Sequence, residues 1–218
     1  MKKAILIGGS GFVGSYLLQE LLSNPDYEEV KIIVRKNLNI NHPKLKALLG
    51  DYHTLSNLKE DIKADDVFIA IGTTKNKEPD QEKYYQIDHD YPVLLSKLSK
   101  ETGAKSVFIV TSVGANANSS VFYLRTKGET ERDIIGLDFE HTHIFRPSMI
   151  MGTRKEFRPT EKLIIKLWSG VNFILIGKYL KKYKGIDGPS IAKAINNAAK
   201  LQTEKVKFYH WQEMNDLL

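Results

Sequence analysis

The segment Ile7-Gly8-Gly9-Ser10-Gly11-Phe12-Val13-Gly14 restricts this chain more than any other. It follows a short β-branched run, Lys3 to Ile7, that reads as a strand. It leads straight into a stretch with Val13, Leu17, Leu18, Leu21 and Leu22 at helical spacing. Gly9, Gly11 and Gly14 spell G-x-G-x-x-G, while Gly8, Gly11 and Gly14 spell G-x-x-G-x-x-G. Glycine serves such a turn by allowing a tight reversal, close approach of a pyrophosphate, and close packing of helix on strand. The helix start then offers backbone N–H groups and a partial positive charge to phosphate. A Walker loop is excluded, because Gly14 rather than Lys precedes Ser15. A strand–glycine–helix unit of this kind predicts a dinucleotide site.

Beyond the turn, β-branched runs and amphipathic stretches alternate. Strands are expected near 30–34, 45–49, 66–71, 106–111, 142–145 and 206–209. Helices are expected near 12–23, 81–101, 120–135 (capped by Ser119 or Ser120), 161–168, 189–201 and 211–217. Alternation of this sort implies parallel strands with right-handed helical crossovers, an α/β doubly wound sheet. Residues 1–218 read as a single domain, with a core over about 1–150 and a small C-terminal substrate lobe over 151–218 packed on the end of the sheet.

The end of the second strand speaks to the type of dinucleotide. NAD enzymes usually place Asp or Glu there to accept from the ribose 2′-hydroxyl. This chain has Arg35-Lys36, and a guanidinium pairs with a 2′-phosphate that a carboxylate would repel. NADP(H) is therefore expected over NAD(H). Further along, Tyr123-Leu124-Arg125-Thr126-Lys127 puts a phenol and an ammonium on one helix face. An ammonium beside a tyrosine favours the phenolate and brings proton transfer toward neutral pH. Thr111-Ser112 ends a strand at the carboxyl edge, where doubly wound sheets bind ligands, and Ser112 is suited to hydrogen-bond a substrate carbonyl.

With these residues in view, the chain resembles the atypical short-chain dehydrogenases/reductases, in particular the group similar to the Tat-interacting protein. The resemblance rests on the glycine turn, Gly72-Thr73-Thr74, Ser112-Val113-Gly114-Ala115, Tyr123-Leu124-Arg125-Thr126-Lys127-Gly128-Glu129 and Phe145-Arg146-Pro147. It implies a Rossmann fold binding NADP(H), with Gly8, Ser10, Gly11, Phe12 and Val13 along the pyrophosphate and Arg35 at the 2′-phosphate. It places Asp51 and Tyr52 near the adenine, Gly72 and Thr73 beneath the ribose, and Arg146-Pro147 beside the nicotinamide. Ser112, Tyr123 and Lys127 would form the catalytic triad. Asp88 lies on the helix from which relatives often offer an Asn. From the residues alone, Asp88-His89-Asp90 reads as a helix surface or a sheet-end contact.

The net charge of +6 is local. Residues 1–150 carry 19 Lys and Arg against 20 acids, whereas residues 151–185 carry 9 against 2. The expectation is a small-molecule substrate of anionic character, or an anionic membrane surface, near residues 151–185. No recognisable nucleic-acid motif accompanies the charge. Zero cysteine excludes a disulfide framework, a Cys-ligated metal and a thiolate nucleophile. His141-x-His143 lacks a third ligand in sequence, so no metal site is expected. The stretch 163–180 is interrupted by Lys166, Asn172, Lys178 and two glycines, a poor membrane span, and a cytoplasmic protein is expected. The reading is an NADP(H)-dependent oxidoreductase acting on a small carbonyl or alcohol. A non-catalytic NADP(H)-binding sensor stands as the alternative, and nucleotide-sugar epimerisation stands third.

Overall fold

The computed structural model describes residues 1–152 and 181–218. The helix expected over 161–168 and the basic residues Arg154, Lys155, Arg158 and Lys162 fall outside them. Strands β1 (Lys2–Ile7), β2 (Tyr27–Val34), β3 (Leu45–Leu49), β4 (Asp66–Ile69), β5 (Ser106–Val110) and β6 (His141–Phe145) belong to one sheet. A two-residue ribbon pairs β7 (Ile150–Met151) with β8 (Ile186–Asp187), and β9 (Val206–Tyr209) rejoins the main sheet. The order is β3-β2-β1-β4-β5-β6-β9, with every pairing parallel. The chain winds outward from β1 to β3 and then departs the other way through β4. The loops after β1 and β4 part at that reversal and leave a crevice at the carboxyl edge.

Both faces of the sheet are covered, which is why its strands are nearly continuous in apolar residues. Ala4 and Leu6 of β1 face α1 (Phe12–Ser23), and Ile5 and Ile7 face the opposite layer. On the first face Leu17, Leu18 and Leu21 pack with Ile191 and Ile195 of the helix Gly188–Ala198. Each such buried side chain contributes about 1.5–3 kcal/mol. That helix is capped by Asp187, whose carboxylate accepts from the Ser190 amide at 2.8 Å, with Pro189 in its first turn. The second face is built on α3 (Tyr91–Glu101) and α4 (Phe122–Gly136) through Leu95, Leu98 and Ile134. In chain order α2 is Gln81–Tyr85, α5 is Gly188–Ala198 and α6 is Trp211–Asn215.

Two elements differ from the sequence reading. The long helix over 81–101 is divided by a π-helical turn, Gln86–Asp90. Pro92 has no N–H to give the Asp88 carbonyl, and its ring crowds that carbonyl, so the helix widens. The released carbonyl accepts instead from Thr130 Oγ1 of α4 at 2.9 Å. Helix α4 starts at Phe122, after Val121, and neither Ser119 nor Ser120 caps it. Ser119 Oγ accepts from the Val121 amide at 3.2 Å, one turn too early, while Arg125 donates back to the Ser119 and Ser120 carbonyls.

Candidate functional site

The glycine turn resolves which of its two patterns the fold uses. Gly8 has φ +88°, and a Cβ there would lie 2.5 Å from the Ala70 carbonyl. A Cβ on Gly14 would lie 2.0 Å from the Gly8 oxygen, whereas one on Gly9 meets side chains at ordinary contact distance, Leu6 at 3.4 Å and Ile32 at 3.7 Å. Gly8, Gly11 and Gly14 are therefore the required set. The Gly11 amide donates to the Gly8 carbonyl at 2.8 Å, closing the turn, and α1 follows with no side-chain cap on Gly11. The turn is packed so closely on backbone that Gly8 and Gly14 admit no side chain, and the helix start is left without a side-chain cap, the form a pyrophosphate needs.

Beside the turn opens a cleft of about 530 Å³. Its walls are Ser10, Gly11, Phe12 and Val13 from the turn, Gly72, Thr73 and Thr74 from the loop after β4, Thr111 after β5, and Tyr123 and Lys127 from α4. These expected residues are thus brought to one place. Gly8 sits beneath the turn, packed on Ala70 and Ile71. Thr111 reaches the cleft, although its hydroxyl is spent on Glu131 at 2.5 Å. Ser112 is buried outside that wall and its hydroxyl donates to the Val113 carbonyl at 3.2 Å. Arg35 and Lys36 are exposed just past β2. Asp51 folds its carboxylate onto the His53 and Thr54 amides, and Tyr52 stands edge-on to Tyr91 at 6.1 Å. Burial and Asp51 push the Tyr91 phenol up to about 12 while Arg35 pulls it down, so both charges lie within its reach.

Arg146 grips Glu131 of α4 through two hydrogen bonds, Nε at 2.9 Å and Nη2 at 2.5 Å, and lies over the Phe208 ring. It lies outside the cleft wall, and the Pro147 carbonyl beside it accepts from the Val113 amide at 2.9 Å. A charged fork satisfied bidentately by a buried carboxylate has a partner already.

Tyr123, Lys127 and Glu131 recur at i, i+4 and i+8, and so share one face of α4. Tyr123 is 40% exposed at the cleft, and Lys127 is buried behind it. Lys127 Nζ lies 3.1 Å from Asp88 Oδ2, and Asp88 Oδ1 accepts from the Thr73 amide at 2.8 Å. Burial alone would lower Lys127, but Asp88, with Tyr123 and Glu131, outweighs it and holds the ammonium above its ordinary value. The lysine is therefore a fixed cation at neutral pH. Asp88 is fully buried, not a helix-surface acid, because the π-turn rotates it inward. Sequence reasoning left Glu131 unassigned, yet Tyr-x-x-x-Lys-x-x-x-Glu was there to be read as one helical face.

A family model described as the NAD dependent epimerase/dehydratase family matches residues 4–133. Among curated proteins, "Protein FMP52, mitochondrial" of Candida glabrata is 37% identical over 155 residues, covering 70% of this chain and 66% of that protein. "Protein fmp52, mitochondrial" of Aspergillus niger is 33% identical over 208 residues, covering 91% and 87%. These relatives carry the FMP52 name rather than that of the Tat-interacting group. Both names include the mitochondrion, which overturns the cytoplasmic expectation. Of solved structures, a UDP-N-acetylglucosamine 4-epimerase from Methanobrevibacter ruminantium M1 superposes with TM-score 0.71 and 22% identity, over 96% of this chain and 76% of that one. The Bordetella bronchiseptica enzyme WbmH in complex with NAD+ gives TM-score 0.72 and 16% identity, over 97% and 75%. They share the fold. The family description and the WbmH complex specify NAD, and neither bears on a preference for NADP(H).

Proposed function

The chain belongs to the NAD dependent epimerase/dehydratase family, and on that premise we propose that it is an oxidoreductase acting on a small carbonyl or alcohol. The observation that carries the reading is the meeting of Tyr123 and Lys127 with the glycine turn in one cleft. Gly8, Gly11 and Gly14 leave room for a pyrophosphate, and Gly72 and Thr73 form the floor next to Lys127. A nicotinamide bound there supplies or accepts the hydride. Tyr123 Oη gives a proton to the substrate oxygen in reduction and takes it back in oxidation. Lys127, held cationic, stabilises the phenolate that remains and donates to ribose hydroxyls. Ser112, buried beside the cleft, would have to leave the Val113 carbonyl to orient the substrate oxygen. Arg35, exposed past β2 where a carboxylate would select NAD, supports a preference for NADP(H).

The test is dinucleotide oxidation over a panel of carbonyl compounds, run with NADPH and with NADH, against Tyr123→Phe. Turnover is expected to fall by about 10²–10⁴-fold in the variant, the usual worth of a positioned acid. Turnover that survives the substitution would overturn the mechanism. A clear preference for NADH would remove Arg35 from its role. Tight binding without turnover on any carbonyl removes the reductase reading and leaves a cofactor-binding sensor or an epimerase. The family description also favours a second reading, epimerisation of a nucleotide sugar, which interconverts epimers with no net consumption of dinucleotide.

A further inference from the structure

We propose that Asp88 is the positioning residue of this site: one carboxylate holds the Lys127 ammonium and the Thr73 amide together, and its charge sets how readily Tyr123 releases its proton. The chemical meaning of the inference rests on the oxidoreductase reading. Its geometry does not. One ion pair and two hydrogen bonds fix Asp88, with Oδ2 at 3.1 Å from Lys127 Nζ, Oδ1 accepting from the Thr73 amide at 2.8 Å, and its carbonyl accepting from Thr130 at 2.9 Å. The carboxylate is 1% exposed and the lysine side chain 8%. Gly72 closes over the pair, since a Cβ there would sit 3.5 Å from Nζ and 3.6 Å from Oδ1. Lys127 and the Gly72–Thr73 floor are thus tied to the same carboxylate.

The electrostatic consequence has a definite sign. An unopposed buried ammonium favours the neighbouring phenolate, and a carboxylate at contact distance subtracts from that effect. Among the described residues, the other charged and titratable groups near the pair are Tyr123 and Glu131 of α4 and Tyr84 of α2, with Lys77 elsewhere in the cleft wall. Glu131 is neutralised by Arg146. Tyr84 is kept as the phenol, raised by burial and by Asp88. Asp88 is thus the anion in direct contact with Lys127, and a neutral amide in its place would keep the shape while freeing the ammonium's field.

The experiment follows the Tyr123 ring by NMR in protein carrying ring-¹³C tyrosine, its signal assigned by disappearance in Tyr123→Phe. In Asp88→Asn the Tyr123 titration is expected about one pH unit below wild type, the size of one charge removed at close range. Thermal unfolding provides the control for a merely structural effect. A titration that stays in place, or rises, would overturn the proposal. Should Asp88→Asn fail to fold, wild type still decides. A slowly exchanging Lys127 ammonium signal coupled to the Asp88 carboxyl is expected, and its absence overturns the proposal. Neither readout needs turnover. Activity lost in Tyr123→Phe beside an unmoved Tyr123 titration would sink this inference and leave the oxidoreductase reading intact.

Discussion

One methyl group is enough to separate the glycines that the turn requires from the one it merely contains. Gly14→Ala puts Cβ 2.0 Å from the Gly8 oxygen, a backbone atom that can yield only by opening the turn. Opening it costs about 1–3 kcal/mol of folding stability, the usual range for overpacking, and weakens dinucleotide binding. Gly9→Ala, with its nearest contact at 3.4 Å, is expected to bind within a few-fold of wild type. Calorimetric titration of both variants with NADPH checks this, and equal losses would contradict the assignment. The sequence alone could not choose between the two overlapping patterns, because the choice depends on which backbone atoms the loop after β4 brings against the turn. Tyr123 and Lys127 were legible for the opposite reason. Their relation is internal to one helix, and spacing alone fixes it. The partner of Arg146 was not legible, because it is Glu131, a residue on another element.

At the scale of elements, strands and helices followed from periodicity, and the departures trace to contacts between elements. The π-turn could have been anticipated from Pro92, but its effect on Asp88 depends on Thr130 of α4 taking the released carbonyl. The same helix is tied to β6 through Glu131 and Arg146, and to the residue after β5 through Thr111. Arg146→Met leaves Glu131, 4% exposed, as an unpaired buried carboxylate. Breaking such a pair costs about 3 kcal/mol, at the low end because the arginine keeps 22% of its surface in water. Chemical denaturation is expected to show that loss, with a smaller one for Glu131→Gln, which still accepts from Thr111. A loss below about 1 kcal/mol for Arg146→Met would mean the pair behaves as an exposed bridge, and α4 would owe its place to Ile134 and its other apolar contacts.

Across the whole molecule, one face of the sheet carries a row of rings that joins strands distant in sequence. Phe68 of β4 stacks on Phe108 of β5 at 4.7 Å, Phe108 on His143 of β6 at 4.6 Å, and Tyr209 of β9 on Phe145 at 4.4 Å. His143 sits within this layer, fully buried. Its Nδ1 and the Tyr209 hydroxyl share a hydrogen bond of 2.8 Å, while Nε2 has no hydrogen-bond partner among the described residues. Burial, with His141 and Lys207 adding, lowers the imidazole from 6.5 to about 4, so the folded protein holds it neutral. A group whose folded value is depressed contributes its stability above the unfolded value and loses it on acidification. Here the contribution is complete above pH 6.5 and drains away as pH falls toward 4, by about 3 kcal/mol in all. His210, also lowered by burial, adds a slope of the same sign, so the comparison between two chains is what isolates His143. In His143→Phe combined with Tyr209→Phe, which removes both partners of that hydrogen bond, unfolding free energy between pH 6.5 and 4 is expected to fall less steeply than in wild type. Below pH 4 the two curves should run parallel, since carboxylates held down by cations, such as Asp133 beside Arg132, remain in both. Identical slopes from pH 6.5 to 4 would show that the ring layer tolerates a charged imidazole, and the acid sensitivity of the fold would then have to arise at the sheet's exposed edges.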